Sequence, residues 1–410
     1  MQSAELRFYC WSYKMNPGRL QKDFFRFQAQ TTQFASGFEV DYARGTYIYG
    51  KNGKAYLDFA AGVSVNTLGH SHPRVIQAIT EQASRHLHVM VYGEYAQEQP
   101  VMLCKRLAEA LPEPLDTTYL VNSGTEAIEA AMKLAKRYTG REEIIACHDA
   151  YHGNTHGSLS LAGREEKKRP FRPLLPMVGF IRFNSEEDLN KITPKTAAVI
   201  VETIQGASGF KLPQDDYLKK LKNRCAETGA LLVLDEIQPG FGRTGKLFAF
   251  EHYEIVPDIL VMGKGMASGM PIGAFTASAA VMNSLSYSPN LGHITTFGGN
   301  PVVAAAALAT LDELLESDLM GEIDRKEQLF RELLIHPKIK SIAGRGLMLA
   351  PELESPEYAL KVAAKCMDKG LILFWLMYSI QHLRITPPLT ISESEIREGC
   401  EIILSVLNEI

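Results

Sequence analysis

Short apolar runs alternate with amphipathic stretches through the middle of the chain. TYLVNS (118–123), EIIACH (143–148), AAVIVETI (197–204), LLVLDEI (231–237) and DILVMG (258–263) are rich in Val, Ile and Leu at successive positions, the pattern of strands buried on both faces. Between them, TEAIEAAMKLAKRY (125–138) and DDYLKKLKNRCAETG (215–229) carry helical periodicity. Alternation of this kind predicts an α/β domain around a mostly parallel sheet, with ligands beyond the carboxyl ends of its strands.

The flanks differ. TYIYGKNGKAYLDF (46–59) has Asn52 and Gly53 between two strand-like halves, a hairpin signal in which both central residues of a tight turn take positive φ. After a helix over 300–319 the pattern runs helix, strand, helix to the C-terminus. The expected division is an N-terminal segment (1–60), a large domain (61–305) and a smaller C-terminal domain (306–410), since a single core seldom grows past about 250 to 300 residues. Met15 is an alternative start, and MQSAELRFYCWSYK lacks the apolar core and cleavage site of a secretory signal.

Charge and cysteines narrow the class. Forty-three basic and 47 acidic side chains leave a net charge of −4, which argues against a nucleic-acid or anionic-membrane surface. The most apolar run, LILFWLMY (371–378), is far shorter than the roughly 20 residues that span a bilayer. Six cysteines without a CxxC pair indicate reduced thiols and a cytoplasmic protein.

Two motifs fail on their own chemistry. GFGRTGK (240–246) mimics half of a phosphate loop, but Leu247 stands where a magnesium-binding Ser or Thr is needed. His148, His152 and His156 would share a helical face as metal ligands only if a helix ran through Gly153 and Gly157, so no metal is expected there.

A third set is more coherent. Ser123, Gly124 and Thr125 join a strand to a helix, where helix amides favour an anion, although a plain capping turn would look the same. Asp235 ends a buried strand and requires a cationic or strongly hydrogen-bonding partner, for which a protonated ring nitrogen would serve. Lys264, between two glycines at the end of the next run, is placed for burial, which frees its amine as a nucleophile. Anion cradle, pyridinium partner and imine lysine are the three handles of pyridoxal phosphate.

The motifs GKNGKAYLDFAAGVSVNTLGHSHP, NSGTEA, DAYHG, ETIQG, LDEIQPGFGRTG, MGKGMASGMPIGA, TTFGGNP, GRGLM and LRITPPLTI, with Asp235 and Lys264 29 residues apart, resemble the class III (ω-type) pyridoxal-phosphate aminotransferases of fold type I. The resemblance covers nearly all of the chain after about residue 30. It implies a Schiff-base role for Lys264 and a ring-nitrogen contact for Asp235. Tyr151 and Ile237 would sit on the two ring faces, Gln238 by the phenolic oxygen, and His152 and Glu202 close to the ring. Ser123, Gly124 and Thr125 would hold the phosphate, with Thr296 reaching that of a neighbouring subunit, so that a homodimer shares its active sites. Arg384 would bind a substrate carboxylate, and Gly62 and Val63 would form a small apolar wall. Two positions depart from the family: Asn154 where an arginine commonly follows HG, and Ala207 where a glutamate commonly follows QG. LFWLMYSIQH is longer and more aromatic than usual and is expected to line or cover the entrance. The implied activity is ping-pong transfer of an amino group from a primary amine or ω-amino acid to a keto acid. An aminomutase, racemase or lyase on the same cofactor is the alternative.

Overall fold

The computed structural model describes residues 18–32 and 35–410; Cys10 and Met15 lie outside the described residues. The strands are β1 (Val40–Arg44), β2 (Tyr47–Gly50), β3 (Ala55–Asp58), β4 (Thr117–Val121), β5 (Glu143–Cys147), β6 (Val178–Ile181), β7 (Thr196–Glu202) and β8 (Leu231–Asp235). They continue with β9 (Ile259–Gly263), β10 (Gly273–Ala277), β11 (Ser341–Arg345), β12 (Met348–Glu352), β13 (Leu371–Ile372), β14 (Phe374–Leu376) and β15 (Ser379–Arg384). The helices that matter below are α1 (Pro73–Arg85), α2 (Glu98–Ala110), α3 (Gly124–Thr139), α4 (Tyr217–Thr228), α5 (Pro301–Glu316), α6 (Pro356–Lys369) and α7 (Glu393–Glu409).

The central sheet has the order β4-β10-β9-β8-β7-β5-β6. All of its strands run parallel except β10, which is antiparallel to both β4 and β9. Every residue of β7, β8, β9 and β10 is buried. Alternate side chains explain why: Ala198, Ile200, Val233 and Val261 pack with the alanine-rich face of α3, whereas Val199, Val201, Leu232 and Leu260 join a second core with α4 and α5. Burying each such side chain contributes about 1.5–3 kcal/mol.

Helix α3 is well delimited. The Ser123 hydroxyl accepts from the Glu126 amide at 3.4 Å, and Gly140, at φ +67°, ends the helix in the left-handed conformation.

Two small sheets flank the large one. In the first, β1-β2-β3-β13, the end of the N-terminal hairpin pairs in parallel with Leu371–Ile372 from the C-terminal part. In the second, β11-β12-β15-β14, β15 delivers Arg384. The hairpin at 46–59 differs from expectation. Only Gly53 takes positive φ, because three residues, Lys51 to Gly53, close the loop, with Gly53 donating to Gly50 O and Gly50 donating to Lys54 O. Among the described residues no helix is long and apolar enough to cross a membrane.

Candidate active site

Four strand ends meet at one opening. Asp235 and Glu202 are the last residues of β8 and β7, Lys264 follows the last residue of β9, and Gly124 begins α3 just beyond β4. These residues, with Thr125, Tyr151, His152, Ile237, Gln238, Val63 and Arg384, border a cavity of about 380 Å³. That is the size of a small-molecule site.

Asp235 has a hydrogen-bonding partner within the chain: His152 Nδ1 lies 2.7 Å from its Oδ2, while its Oδ1 accepts from the Ile237 amide at 3.0 Å. Burial disfavours a charged His152, but the hydrogen bond to Asp235 and that residue's charge outweigh it and raise the imidazole pKa. The buried strand-end carboxylate thus has a side-chain partner that the sequence pattern did not reveal. His148, by contrast, packs beside Phe180, and His156 begins a short helix, His156–Ser160. That helix was not expected across Gly157; it forms because Glu129 packs where any larger side chain would stand, and its carboxylate accepts from the Ser158 amide at 3.0 Å.

Glu202 accepts from the Tyr151 amide at 3.1 Å and the Gly206 amide at 2.7 Å, fixing the loops on either side of the opening. Burial pushes its carboxyl pKa up to about 7 against the pull of His152. Lys264 makes no hydrogen bond or ion pair among the described residues. Burial lowers its pKa, Asp235 opposes that, and Arg384 adds to it.

Arg384 is buried and has no acidic partner among the described residues. Its guanidinium lies 5.5 Å from the centre of the Phe210 ring, Nη1 has no hydrogen-bond partner, and burial pulls its pKa down to about 10. An unpaired buried cation beside a cavity is arranged to meet an anion from outside the chain.

At the helix end, the Gly124 and Thr125 amides have no intrahelical acceptor, and both residues border the cavity. The Thr125 hydroxyl lies 2.7 Å from Ser158 Oγ and 2.8 Å from Thr155 Oγ1, partners that sequence reasoning missed. Two glycines keep this corner open. A Cβ on Gly124 would stand 2.7 Å from Ile237 Cδ1, and Gly153, at φ +130°, passes so close to Thr125 that no side chain fits.

Three named positions stand apart from the lining. Ser123 caps α3, Thr296 is exposed, and Gly62 belongs to an unusual turn. From Ala61 to Ser64 all four residues have positive φ (47°, 62°, 67° and 64°), with Ser64 N donating to Ala60 O at 3.0 Å and Val65 N to Ala61 O at 2.8 Å. This is one turn of left-handed helix, anchored by Asp58 Oδ1, which accepts from the Ala60 and Ala61 amides, and it presents Val63 to the cavity. The aromatic run before Arg384 does reach the site, since Met377 is part of the wall.

The donor set matches pyridoxal phosphate: helix amides and a hydroxyl for a phosphate, a carboxylate braced by a histidine for a basic ring nitrogen, and an unpaired lysine. Comparison with known proteins agrees. The family model described as aminotransferase class-III matches residues 28–407. The chain is 39% identical over 378 residues to the acetylornithine aminotransferase of Clostridium acetobutylicum, covering 88% of this chain and 94% of that protein. It is 37% identical over 342 residues to the LysW-aminoadipate semialdehyde/glutamate semialdehyde transaminase of Sulfolobus acidocaldarius, covering 82% and 86%. The crystal structure of ornithine aminotransferase from Toxoplasma gondii superposes with a TM-score of 0.88 at 32% identity, covering 95% of this chain and 96% of that one. With strand ends, helix terminus and unpaired lysine arranged for this cofactor, the chain belongs to the class-III aminotransferases, pyridoxal-phosphate enzymes of fold type I.

Proposed function

We propose that the cavity moves an amino group from a primary amine or ω-amino acid to a keto acid in two half-reactions that share one pocket. The observation that carries this reading is the meeting of Lys264, Asp235 and the start of α3 around a single cavity.

When bound, pyridoxal phosphate supplies an aldehyde that captures the amine and a ring that delocalises the charge left at the donor carbon. The chain's residues do the rest. Ser123, Gly124 and Thr125 hold the phosphate at the helix terminus. Asp235 keeps the ring nitrogen protonated, with His152 fixing its carboxylate. Tyr151, Ile237 and Gln238, which border the cavity, would hold the ring, and Glu202 positions the Tyr151 loop by accepting from its amide. Lys264 Nζ, whose pKa burial lowers, would be the group that takes up and releases the proton of the donor carbon. Arg384 binds the substrate carboxylate.

The working unit in this reading is a homodimer in which Thr296 serves the neighbouring copy's phosphate site. Its support is an apolar surface that a lone subunit leaves in water: Phe297 (59% exposed), Leu87 (62%) and Tyr95 (59%). The proposed division into 1–60, 61–305 and 306–410 is supported by the pairing of β3 with β13, which ties the N-terminal hairpin to the C-terminal part. Cytoplasmic residence fits the five described cysteines, all unpaired.

The test is to mix the purified cofactor-loaded enzyme with single amine donors and no keto acid. One carbonyl product per active site, with loss of the bound aldehyde's visible absorbance, supports transamination. Continued turnover of donor without an acceptor establishes the mutase, racemase or lyase reading instead.

A further inference from the structure

The cavity has a conspicuous charge inventory. Among the described residues, the only lysine and arginine that border it are Lys264 and Arg384. In the reading above, on which this inference rests, Lys264 is committed to the cofactor and the proton, so one cation remains for substrate. The rest of the wall includes Val63, Asn154, Ala207 and Met377, none of which can pair with a carboxylate as a charge.

Met377 is held in that wall. It forms with Tyr378 the tip between β14 and β15, where Leu376 pairs with Ser379. The Tyr378 amide donates to Ala207 O at 2.9 Å, and its ring stands edge-on to Tyr151 with centres 6.5 Å apart. Arg164 lies 5.7 Å from the centre of the Tyr378 ring, donates to its carbonyl at 3.4 Å and pairs at 2.5 Å with Asp149, a carboxylate that Lys211 also approaches at 3.7 Å. The hairpin tip is therefore braced on three sides, and the cations behind it, Arg164 and Lys211, do not border the cavity.

A neighbouring copy would not alter this balance through the surfaces proposed to face it. Segments 86–100 and 287–300 contain no lysine or arginine.

We infer that the site selects substrates with a single carboxylate: a 2-oxo monocarboxylic acid as acceptor, and a donor whose remainder is uncharged. Met377, with Ala207, is a specificity-determining wall. A second carboxylate would rest against Val63, Ala207 and Met377 with no counter-charge to meet it. The exchange itself is balanced: the donor's carbon–nitrogen bond becomes a carbonyl with oxygen from water, and the acceptor's carbonyl becomes an amine as water leaves. The proton and electron pair lost at the donor carbon are gained at the acceptor carbon, so no outside oxidant is needed.

The experiment measures kcat/KM of the cofactor-loaded enzyme for 2-oxopropanoate and 2-oxopentanedioate, with one donor whose half-reaction has been followed separately. The monocarboxylate should be favoured by about 100-fold or more. Met377→Arg, and independently Ala207→Arg, should narrow that ratio at least about tenfold. Equal use of both acceptors, or preference for the dicarboxylate, overturns the inference while a working donor half-reaction leaves the transamination reading standing. A wild-type preference that both arginine variants leave unchanged overturns the assignment of the wall. Failure of every donor half-reaction overturns the transamination reading and this inference with it.

Discussion

Arg384→Met separates what the site requires from what the fold prefers. Burial lowers the guanidinium pKa from 12.5 to about 10, and at about 1.36 kcal/mol per unit of pKa this sets roughly 3 kcal/mol against the charged form. Nothing acidic offsets that cost, and the remaining favourable contact is the face of Phe210, worth up to about 2 kcal/mol when desolvated. Methionine keeps most of the apolar stem without the charge. The apoprotein should thus gain about 1–2 kcal/mol, seen as a higher denaturation midpoint at fixed protein concentration. The same variant should lose about 10²–10³-fold in kcat/KM for a donor with a carboxylate, and less than about threefold for a matched amine without one. The reasoning fails if Arg384→Met destabilises the apoprotein or weakens both donors equally, because Arg384 would then be a structural residue.

Other expectations are more direct. Lys264→Ala should abolish multiple turnover on every donor while the apoprotein still binds pyridoxal phosphate; full activity in this variant would remove the basis of the assignment. Gly153→Ala should weaken cofactor binding at least about tenfold in an absorbance titration, since a methyl group there meets Thr125 at a φ of +130°; unchanged affinity would show that the phosphate corner is looser than drawn. Glu202 titrates near 7 when folded, against about 4.5 when unfolded, so between those values the native chain holds a proton that the unfolded chain has released. Its contribution therefore falls as pH rises through that window, and the stability of Glu202→Gln relative to wild type should improve by up to about 3 kcal/mol from pH 4.5 to 8. A pH-independent difference between the two would contradict the burial argument.

Five strands of the central sheet were legible as apolar runs that end within two residues of the observed boundaries, whereas β6, only partly buried at the sheet edge, was not assigned. Strand β10 was not assigned: GAFTA is short and small, and it becomes a strand by lying antiparallel between β4 and β9. Lys264, Asp235 and the α3 start were visible as chemistry out of place, a charge or a glycine at the end of an apolar run. The His152–Asp235 contact was not, since it joins a loop to a strand end 83 residues away and depends on register. Thr155 and Ser158 stayed hidden for the same reason. The aromatic tract before Arg384 did announce itself by composition, but only the hairpin shows that Met377, rather than Phe374 or Trp375, faces the cavity.

The left-handed turn at 61–64 bears on how this pocket could be resized. A β-branched residue at Val63's φ of 67° sits against its own backbone preference, at a cost of about 1–2 kcal/mol. Trimming that side chain to glycine, or exchanging it for asparagine, relieves the backbone, and glycine also enlarges the wall. Bulkier replacements inherit the strain and crowd the opening as well. At this one position, then, a laboratory search for wider substrate range runs downhill in stability terms, opposite to the trade-off that commonly limits redesigned active sites.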